Sequence, residues 1–139
     1  MNVFRTEAPG IKTISDVHFP TPQEYTLDNG IKVHAFNLGT QEAVQIDLVF
    51  AVSRNQGKNP LVAKAVNELI GEASIQKPSG VLNEAIDFHG AFLESTYSVD
   101  HSSVSLFTLT KKLDDVLPLF EEVVLEAVFP ERELDIYLK

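Results

Sequence analysis

Residues 43–53 (AVQIDLVFAVS) constrain the fold most strongly, because apolar side chains occupy every second position. The opposite face begins polar at Gln45 and Asp47 but becomes apolar at Val49 and Ala51. A strand with this pattern is typically covered on both sides by other layers of the protein. The continuous apolar face consists of Val44, Ile46, Leu48, Phe50 and Val52.

A β-hairpin is predicted upstream, in residues 25–33 (YTLDNGIKV). Asn29-Gly30 is typical of a type I′ turn, in which both central residues have positive φ. Residues 1–22 contain scattered prolines and glycine without a sustained period, and they are interpreted as an extended N-terminal arm. The remaining residues, 23–139, are expected to form one domain.

Residues 61–74 (LVAKAVNELIGEAS) are predicted to form an amphipathic helix. Asn59-Pro60 supplies a capping residue followed by proline at the first helical position. The expected buried stripe comprises Val62, Ala65, Val66, Leu69, Ile70 and Ala73.

Two helices and two strands are predicted after this segment. A second helix runs from Ser79, a candidate N-cap, to Phe88 and closes at Gly90, where positive φ costs little. Strands follow at 92–99 and 102–110, and a third helix occupies 113–128. Its expected inward residues are Val116, Leu117, Phe120, Val123, Val124 and Ala127.

A fourth helix is expected to open at Pro130. Its apolar stripe begins at Leu134, Tyr137 and Leu138, and no cap, glycine or proline follows before Lys139. We therefore expect the chain to be part of a larger protein.

Composition excludes several classes of function. The 139 residues include no cysteine, which rules out disulfides and thiolate metal sites. The net charge of −9 disfavours nucleic-acid binding, and no apolar run has the length of a membrane span. The N-terminus does not have the layout of a signal peptide. We expect a cytoplasmic protein, with a periplasmic location as the alternative.

The order of helix, glycine-led strand and long hairpin resembles the pitrilysin/insulinase family of zinc peptidases. YTLDNGIKV is similar to the family's opening hairpin, and AVQIDLVFAVS to its third strand. Gly90 and Asp100 match its Gly-Gly-x-x-Asn-Ala-x-Thr-x-x-Asp motif, although Glu94 replaces the asparagine. The resemblance implies an α+β fold of the LuxS/metallopeptidase-like type, with a mixed, mainly antiparallel sheet and helices packed on one face. Residues 23–139 would then be a truncated N-terminal peptidase-like domain.

The catalytic motif of that family, His-x-x-Glu-His, is degenerate in this chain. The resemblance aligns Lys64 and Glu68 with the two zinc ligands and Asn67 with the general base. A lysine ammonium has no lone pair for zinc, and an amide does not accept a proton from zinc-bound water at neutral pH. We therefore expect no metal, no cofactor and no catalytic residue in this chain.

The same residues have a simpler structural interpretation. Lys64 and Glu68, at i and i+4, can form a surface ion pair, with Asn67 beside them on the solvated face. His101 beside Asp100 is not expected to form a dyad, because adjacent strand residues point to opposite faces. His89 is expected to favour the negative end of the second helix. Three further carboxylates are interpreted as a solvated helix face: Glu121, Glu122 and Glu126.

Family members bind peptides partly as an added strand at a sheet edge, which requires no metal. The resemblance places this edge at Phe92, Leu93, Glu94, Ser95 and Thr96. The first hypothesis is a non-catalytic scaffold or peptide-enclosing partner of an active zinc peptidase subunit or C-terminal half-domain. The second is an N-terminal fragment of a zinc endopeptidase whose active motif lies in another domain or chain. The third is an unrelated α+β interaction domain.

Overall fold

The computed structural model describes residues 10–51, 60–98 and 100–139. Two compact units divide the chain, residues 1–40 and residues 41–139. A single 3₁₀ turn, Thr110–Lys112, precedes the third helix. In chain order the elements are β1 (Gln23–Thr26), β2 (Lys32–Ala35), β3 (Ala43–Ala51), α1 (Pro60–Leu69), β4 (Ala73–Ser74), α2 (Val81–Phe88), β5 (Phe92–Tyr97), β6 (His101–Leu109), α3 (Leu113–Leu125), β7 (Ala127–Val128) and α4 (Glu131–Tyr137).

The first unit contains the predicted hairpin, in which β1 and β2 pair antiparallel. The predicted type I′ turn is wrong, because only Gly30 has positive φ and Asn29 does not. The Gly30 N–H donates to the Leu27 carbonyl, and the Leu27 N–H donates to the Ile31 carbonyl. This three-residue loop ends in a left-handed glycine, which relieves Asn29 of a strained conformation. Residues 10–22 form neither helix nor strand.

The second unit is built on an antiparallel sheet with the order β3-β6-β5. Leu48 lies opposite Val104, and Ile46 lies opposite Leu106, which in turn faces Leu93 on β5. These residues share one face because side chains alternate along a strand. The α+β class is therefore confirmed, and every strand pair in the described ranges is antiparallel.

The hydrophobic core lies where α2 and α3 cover this face of the sheet. Val116, Phe120 and Val123 are buried as predicted, whereas Leu117 is exposed. Successive residues of a helix are rotated by about 100°, so the side chain after the buried Val116 points toward solvent. The core cluster consists of Leu82, Ile86, Ala91, Val104, Leu106, Val116, Phe120 and Val123.

The other face of the sheet is less covered than predicted for residues 43–53. Val49 retains 66% of its accessible surface, and Ala51 on the same face is also exposed. Phe50, on the face predicted to be continuously apolar, is exposed as well. Helices α2 and α3 pack on the Val104 side, so neither of them covers the Val49 side of β3. Val52, Ser53, Asn59 and Val99, which were included in predicted elements, lie outside the described residues.

Both long helices end earlier than predicted, because a short strand pair replaces their last turns. Ala73 pairs with Val128 and Ser74 with Ala127, so these residues join β4 to β7 instead of extending α1 and α3. The Ile75 N–H continues this connection by donating to the Glu126 carbonyl. The start of α2 also differs, since Gly80 with φ +85° occupies the N-cap position predicted for Ser79. The fourth helix begins directly after Pro130, as predicted.

Candidate functional site

Helix α1 carries the three positions that the resemblance aligns with the zinc motif. Lys64 and Glu68 are exposed, and within the described ranges no ion pair joins them, so the predicted pair is absent there. Asn67 is only 4% exposed, which contradicts its predicted place on the solvated face. Val62 and Val66, predicted to be buried, are instead exposed. The helix is therefore rotated about its axis relative to the prediction.

The reason for this rotation is that α1 packs against β5 and β6. The Asn67 side-chain N–H donates to the Ser103 carbonyl on β6, at 3.3 Å. Its Oδ1 atom is buried and has no hydrogen-bond partner among the described residues. A glutamate at this position would place a carboxylate where the sheet presents a carbonyl oxygen, and two acceptors repel each other.

Strand β5, the predicted peptide-binding edge, lies at the edge of its sheet and pairs only with β6 in the described ranges. The Ser98 N–H donates to the His101 carbonyl at 2.8 Å. Hydrogen-bonding direction alternates along an antiparallel strand, so Thr96 and Glu94 also point their backbone groups toward β6. Leu93 and Ser95 consequently direct their N–H and C=O groups to the open edge.

The β3–β6 pairing supports this assignment independently. The Thr110 N–H donates to the Glu42 carbonyl, so even-numbered residues of β6 bond to β3. Odd-numbered residues of β6 then bond to β5, and Ser103 opposite Thr96 belongs to this set. Both observations leave Leu93 and Ser95 as the residues that can pair with an added strand.

A cavity of about 190 Å³ lies beside this edge. Its walls come from the end of α1 and the following turn, from α2, and from the helix-covered face of the sheet. The lining residues are Glu68, Ile70, Gly71, Glu72, Asn83, Leu93, Glu94, Ser95 and Val104. The predicted edge residues Leu93, Glu94 and Ser95 thus share the cavity with Glu68, one of the positions that the resemblance aligns with the zinc motif.

A buried polar cluster around Glu122 on α3 was not predicted from the sequence. Glu122, predicted to lie on a solvated face, is only 8% exposed. Its carboxylate accepts hydrogen bonds from the Ser74 hydroxyl and from Lys77 Nζ, the latter at 2.5 Å. Burial by itself would raise the pKa of Glu122, but the hydrogen bonds from Lys77 and Ser74 and the lysine charge lower it. The cluster connects the segment after β4 to α3.

No local pattern in the sequence points to this cluster, since Ser74 and Lys77 lie 48 and 45 residues from Glu122 along the chain. Glu121 is exposed as predicted, and Glu126 accepts a hydrogen bond from the Gln76 side chain. Ser74 Oγ also accepts the backbone N–H groups of Gln76 and Lys77. The Ser74 hydroxyl therefore has all its hydrogen bonds satisfied within the protein. We interpret it as a structural link between the segment after β4 and α3, and not as a nucleophile.

Asp100 and His101 form a hydrogen-bonded pair, contrary to the prediction from the sequence. His101 Nδ1 lies 2.7 Å from Asp100 Oδ1, and this hydrogen bond lowers the pKa of Asp100. The prediction was wrong because Asp100 precedes β6 and lies in the hairpin turn, where side chains do not alternate between faces. His89 lies at the C-cap of α2, the end of the helix at which it was expected, with its Nδ1 atom 3.7 Å from the Asp115 carboxylate.

Metal-ligating residues do not converge in the part of the chain that the structure describes. Within it, no group of three or more histidine or acidic side chains is arranged to hold a metal ion. Each helix in those ranges is also too short or too polar to cross a bilayer.

Comparisons with known proteins associate this fold with peptidases. No protein-family model matches the sequence, and no curated protein matches it. The chain is similar to the crystal structure of a peptidase M16 inactive domain from Pseudomonas fluorescens, with a TM-score of 0.77 and 27% identity over 84% of this chain. It also has the fold of a protease from Helicobacter pylori, with a TM-score of 0.70 and 22% identity over 84% of this chain. The chain spans 29% of the length of each of these solved structures.

Proposed function

We propose that this chain is a non-catalytic domain of the pitrilysin/insulinase (M16) peptidase family. In this proposal it encloses a peptide together with an active zinc peptidase subunit or half-domain of the same fold. The likeness to a solved M16 inactive domain supports the family and the lack of catalysis. The proposed role as a partner is supported by Asn67 and by the open edge of β5, as follows.

The observation that carries the proposal is the burial of Asn67. A general base in a zinc peptidase must reach the metal-bound water with a basic atom. The side-chain amide NH2 of Asn67 instead donates a hydrogen bond to the Ser103 carbonyl inside the protein. The neighbouring ligand positions are an ammonium at Lys64 and one carboxylate at Glu68, which together do not make a zinc site.

The open edge of β5 supports the peptide-binding part of the proposal. Leu93 and Ser95 present backbone groups at an edge that no described strand covers. An extended peptide can pair with such an edge through main-chain hydrogen bonds, without a metal. Catalysis would come from the partner, which supplies the zinc ligands and the general base.

The first test measures metal and peptide binding by the isolated chain. After equilibration with zinc and gel filtration, elemental analysis should find much less than one zinc per chain. Labelled extended peptides should bind equally well with and without EDTA, as measured by fluorescence anisotropy. One zinc per chain retained through gel filtration, or peptide binding abolished by EDTA, would overturn the proposal.

The second test concerns the partner. A zinc peptidase of this fold that carries His-x-x-Glu-His should form a stable complex with the chain in sedimentation velocity. The complex should cleave peptides faster than the active subunit alone, because peptide enclosure lowers the cost of positioning. An active subunit that reaches full activity without this chain would contradict the partner role.

A second function remains favoured by one observation, the short span of the chain relative to its solved neighbours. In this alternative the chain is the N-terminal part of a zinc endopeptidase whose active motif lies in another domain or chain. A longer sequence with His-x-x-Glu-His outside residues 1–139 would favour it. Activity of that longer protein should then depend on its own motif and tolerate replacement of Asn67 by alanine.

A further inference from the structure

The open edge of β5 and the adjacent cavity are related by the geometry of the strand. Leu93 and Ser95 direct their backbone groups to the edge, and their side chains line the cavity. In an added antiparallel strand, each peptide residue projects its side chain to the same face as the residue directly opposite. A peptide residue opposite Ser95 would therefore point toward the cavity.

The size of the cavity suits a single side chain. Pockets for drug-sized ligands measure about 300–1,000 Å³, and this cavity measures about 190 Å³. Ile70, Leu93 and Val104 provide an apolar wall against which a methylene chain can pack. A long aliphatic stem fits this wall better than a short polar side chain does.

Charge around the cavity favours a cation at the end of that stem. Glu68 and Glu72 line the cavity, and no described lysine, arginine or histidine forms an ion pair with either. The C-terminal end of α1 also borders the cavity, and the helix dipole places negative potential there. No basic residue in the last turn of α1 offsets this potential. Glu94 also belongs to the lining, but strand alternation places its side chain on the opposite face from Ser95.

We propose that this cavity, defined here as the β5 pocket, receives a lysine or arginine side chain of the peptide that pairs with β5. This inference rests on the proposed peptide binding and adds a substrate class, peptides with a basic residue in the paired segment. The apolar wall holds the stem, and the Glu68 and Glu72 carboxylates attract the charged end. The attraction between these carboxylates and the charged end is electrostatic, so the affinity for the basic peptide should fall as the salt concentration rises.

The test compares two labelled, extended peptides that differ only at the central residue, lysine or norleucine. Norleucine keeps the aliphatic stem without the charge. By fluorescence anisotropy at low salt, the lysine peptide should bind about fivefold more tightly, the ratio expected for a partly exposed ion pair. The double variant Glu68→Gln/Glu72→Gln should reduce this ratio to about one and leave the norleucine peptide unaffected. The matched control Glu121→Gln, at an exposed site on α3, should keep the preference.

One further variant separates failure of the pocket from failure of the edge. Ser95→Pro removes an N–H that faces the open edge but leaves the ladder to β6 intact, whereas the control Glu121→Gln lies outside both the edge and the pocket. Both should keep the thermal transition of the parent, and only the proline variant should lose peptide binding. Equal affinity for the two peptides, or a preference that survives the double glutamine variant, would overturn the β5 pocket alone. If no peptide binds, or if Ser95→Pro binds normally, the proposed peptide-binding function fails as well.

Discussion

Asn67 joins a helix to a sheet through one amide. Its donor bonds the Ser103 carbonyl, while its buried oxygen has no partner in the described residues. Glu122 has the opposite character, because a buried carboxylate there is fully supplied with donors by Ser74 and Lys77. At the residue scale, the cost of burying a polar group depends on which atoms meet it.

The first prediction concerns Asn67→Asp. The variant should lose about 2 kcal/mol of stability at neutral pH, because aspartate cannot donate to Ser103 and carries a buried charge. Burial raises the pKa of such a carboxyl above its unfolded value, so the loss is complete above the raised pKa and shrinks as pH falls below it. Urea unfolding at pH 7.5 and pH 5 measures both effects. Asn37→Asp, at an exposed site, is the control, and equal stability of the Asn67 variant and the parent at pH 7.5 would contradict the prediction.

The second prediction concerns Glu122→Gln. The carboxylate is charged in the folded protein and its pKa is lowered from the ordinary 4.5, so its stabilisation is present above that value. It is then lost as pH falls through the lowered folded pKa. At pH 7 the variant should be less stable by about 1–3 kcal/mol, and the two proteins should converge in acid. Chemical unfolding from pH 7 to pH 3 tests this, with Glu121→Gln expected to match the parent throughout.

At the scale of elements, the sequence predicts which segments are helices and strands better than it predicts which distant segments contact each other. The 3.6-residue period of α3 correctly identifies Val116, Phe120 and Val123 as core residues but wrongly includes Leu117, which is exposed. The β4–β7 pair was not predictable, because two-residue strands lack a period and their partners are distant in sequence. The same reason applies to Asn67 and Glu122, whose burial depends on distant contacts and not on local pattern.

The third prediction concerns the link between α2 and β5. Gly90 has φ +70°, and a Cβ added there meets nothing within 4 Å, so substitution affects conformation without a clash. Gly90→Ala should therefore lower stability by about 1 kcal/mol, the cost of a left-handed alanine. The control is Gly10→Ala, where neither positive φ nor a nearby atom opposes the methyl group. Thermal unfolding of the two variants should differ, and equal midpoints would contradict the assigned conformation.

At the scale of the whole molecule, the two units differ in what holds each together. All members of the core cluster lie in residues 41–139. The first unit contains one two-stranded hairpin whose residues are largely exposed. An isolated hairpin of this kind is marginally stable in water.

The fourth prediction follows from this difference. A protein consisting of residues 41–139 should keep a cooperative thermal transition, because its core requires no residue from the first unit. A peptide of residues 1–40 should show little regular structure. Circular dichroism of the two pieces provides the measurement. Loss of the cooperative transition in residues 41–139 would show that the first unit is required for the core.

The hydrogen bond from Asn67 to Ser103 also sets a limit for protein engineering. A designer who introduced histidines at positions 64 and 68 and a glutamate at 67 would change only the helix. The sheet would still offer a carbonyl oxygen to the new carboxylate. A working metal centre would therefore require a different seating of the helix on β5 and β6, so the barrier to introducing such a centre lies in the packing as much as in the motif.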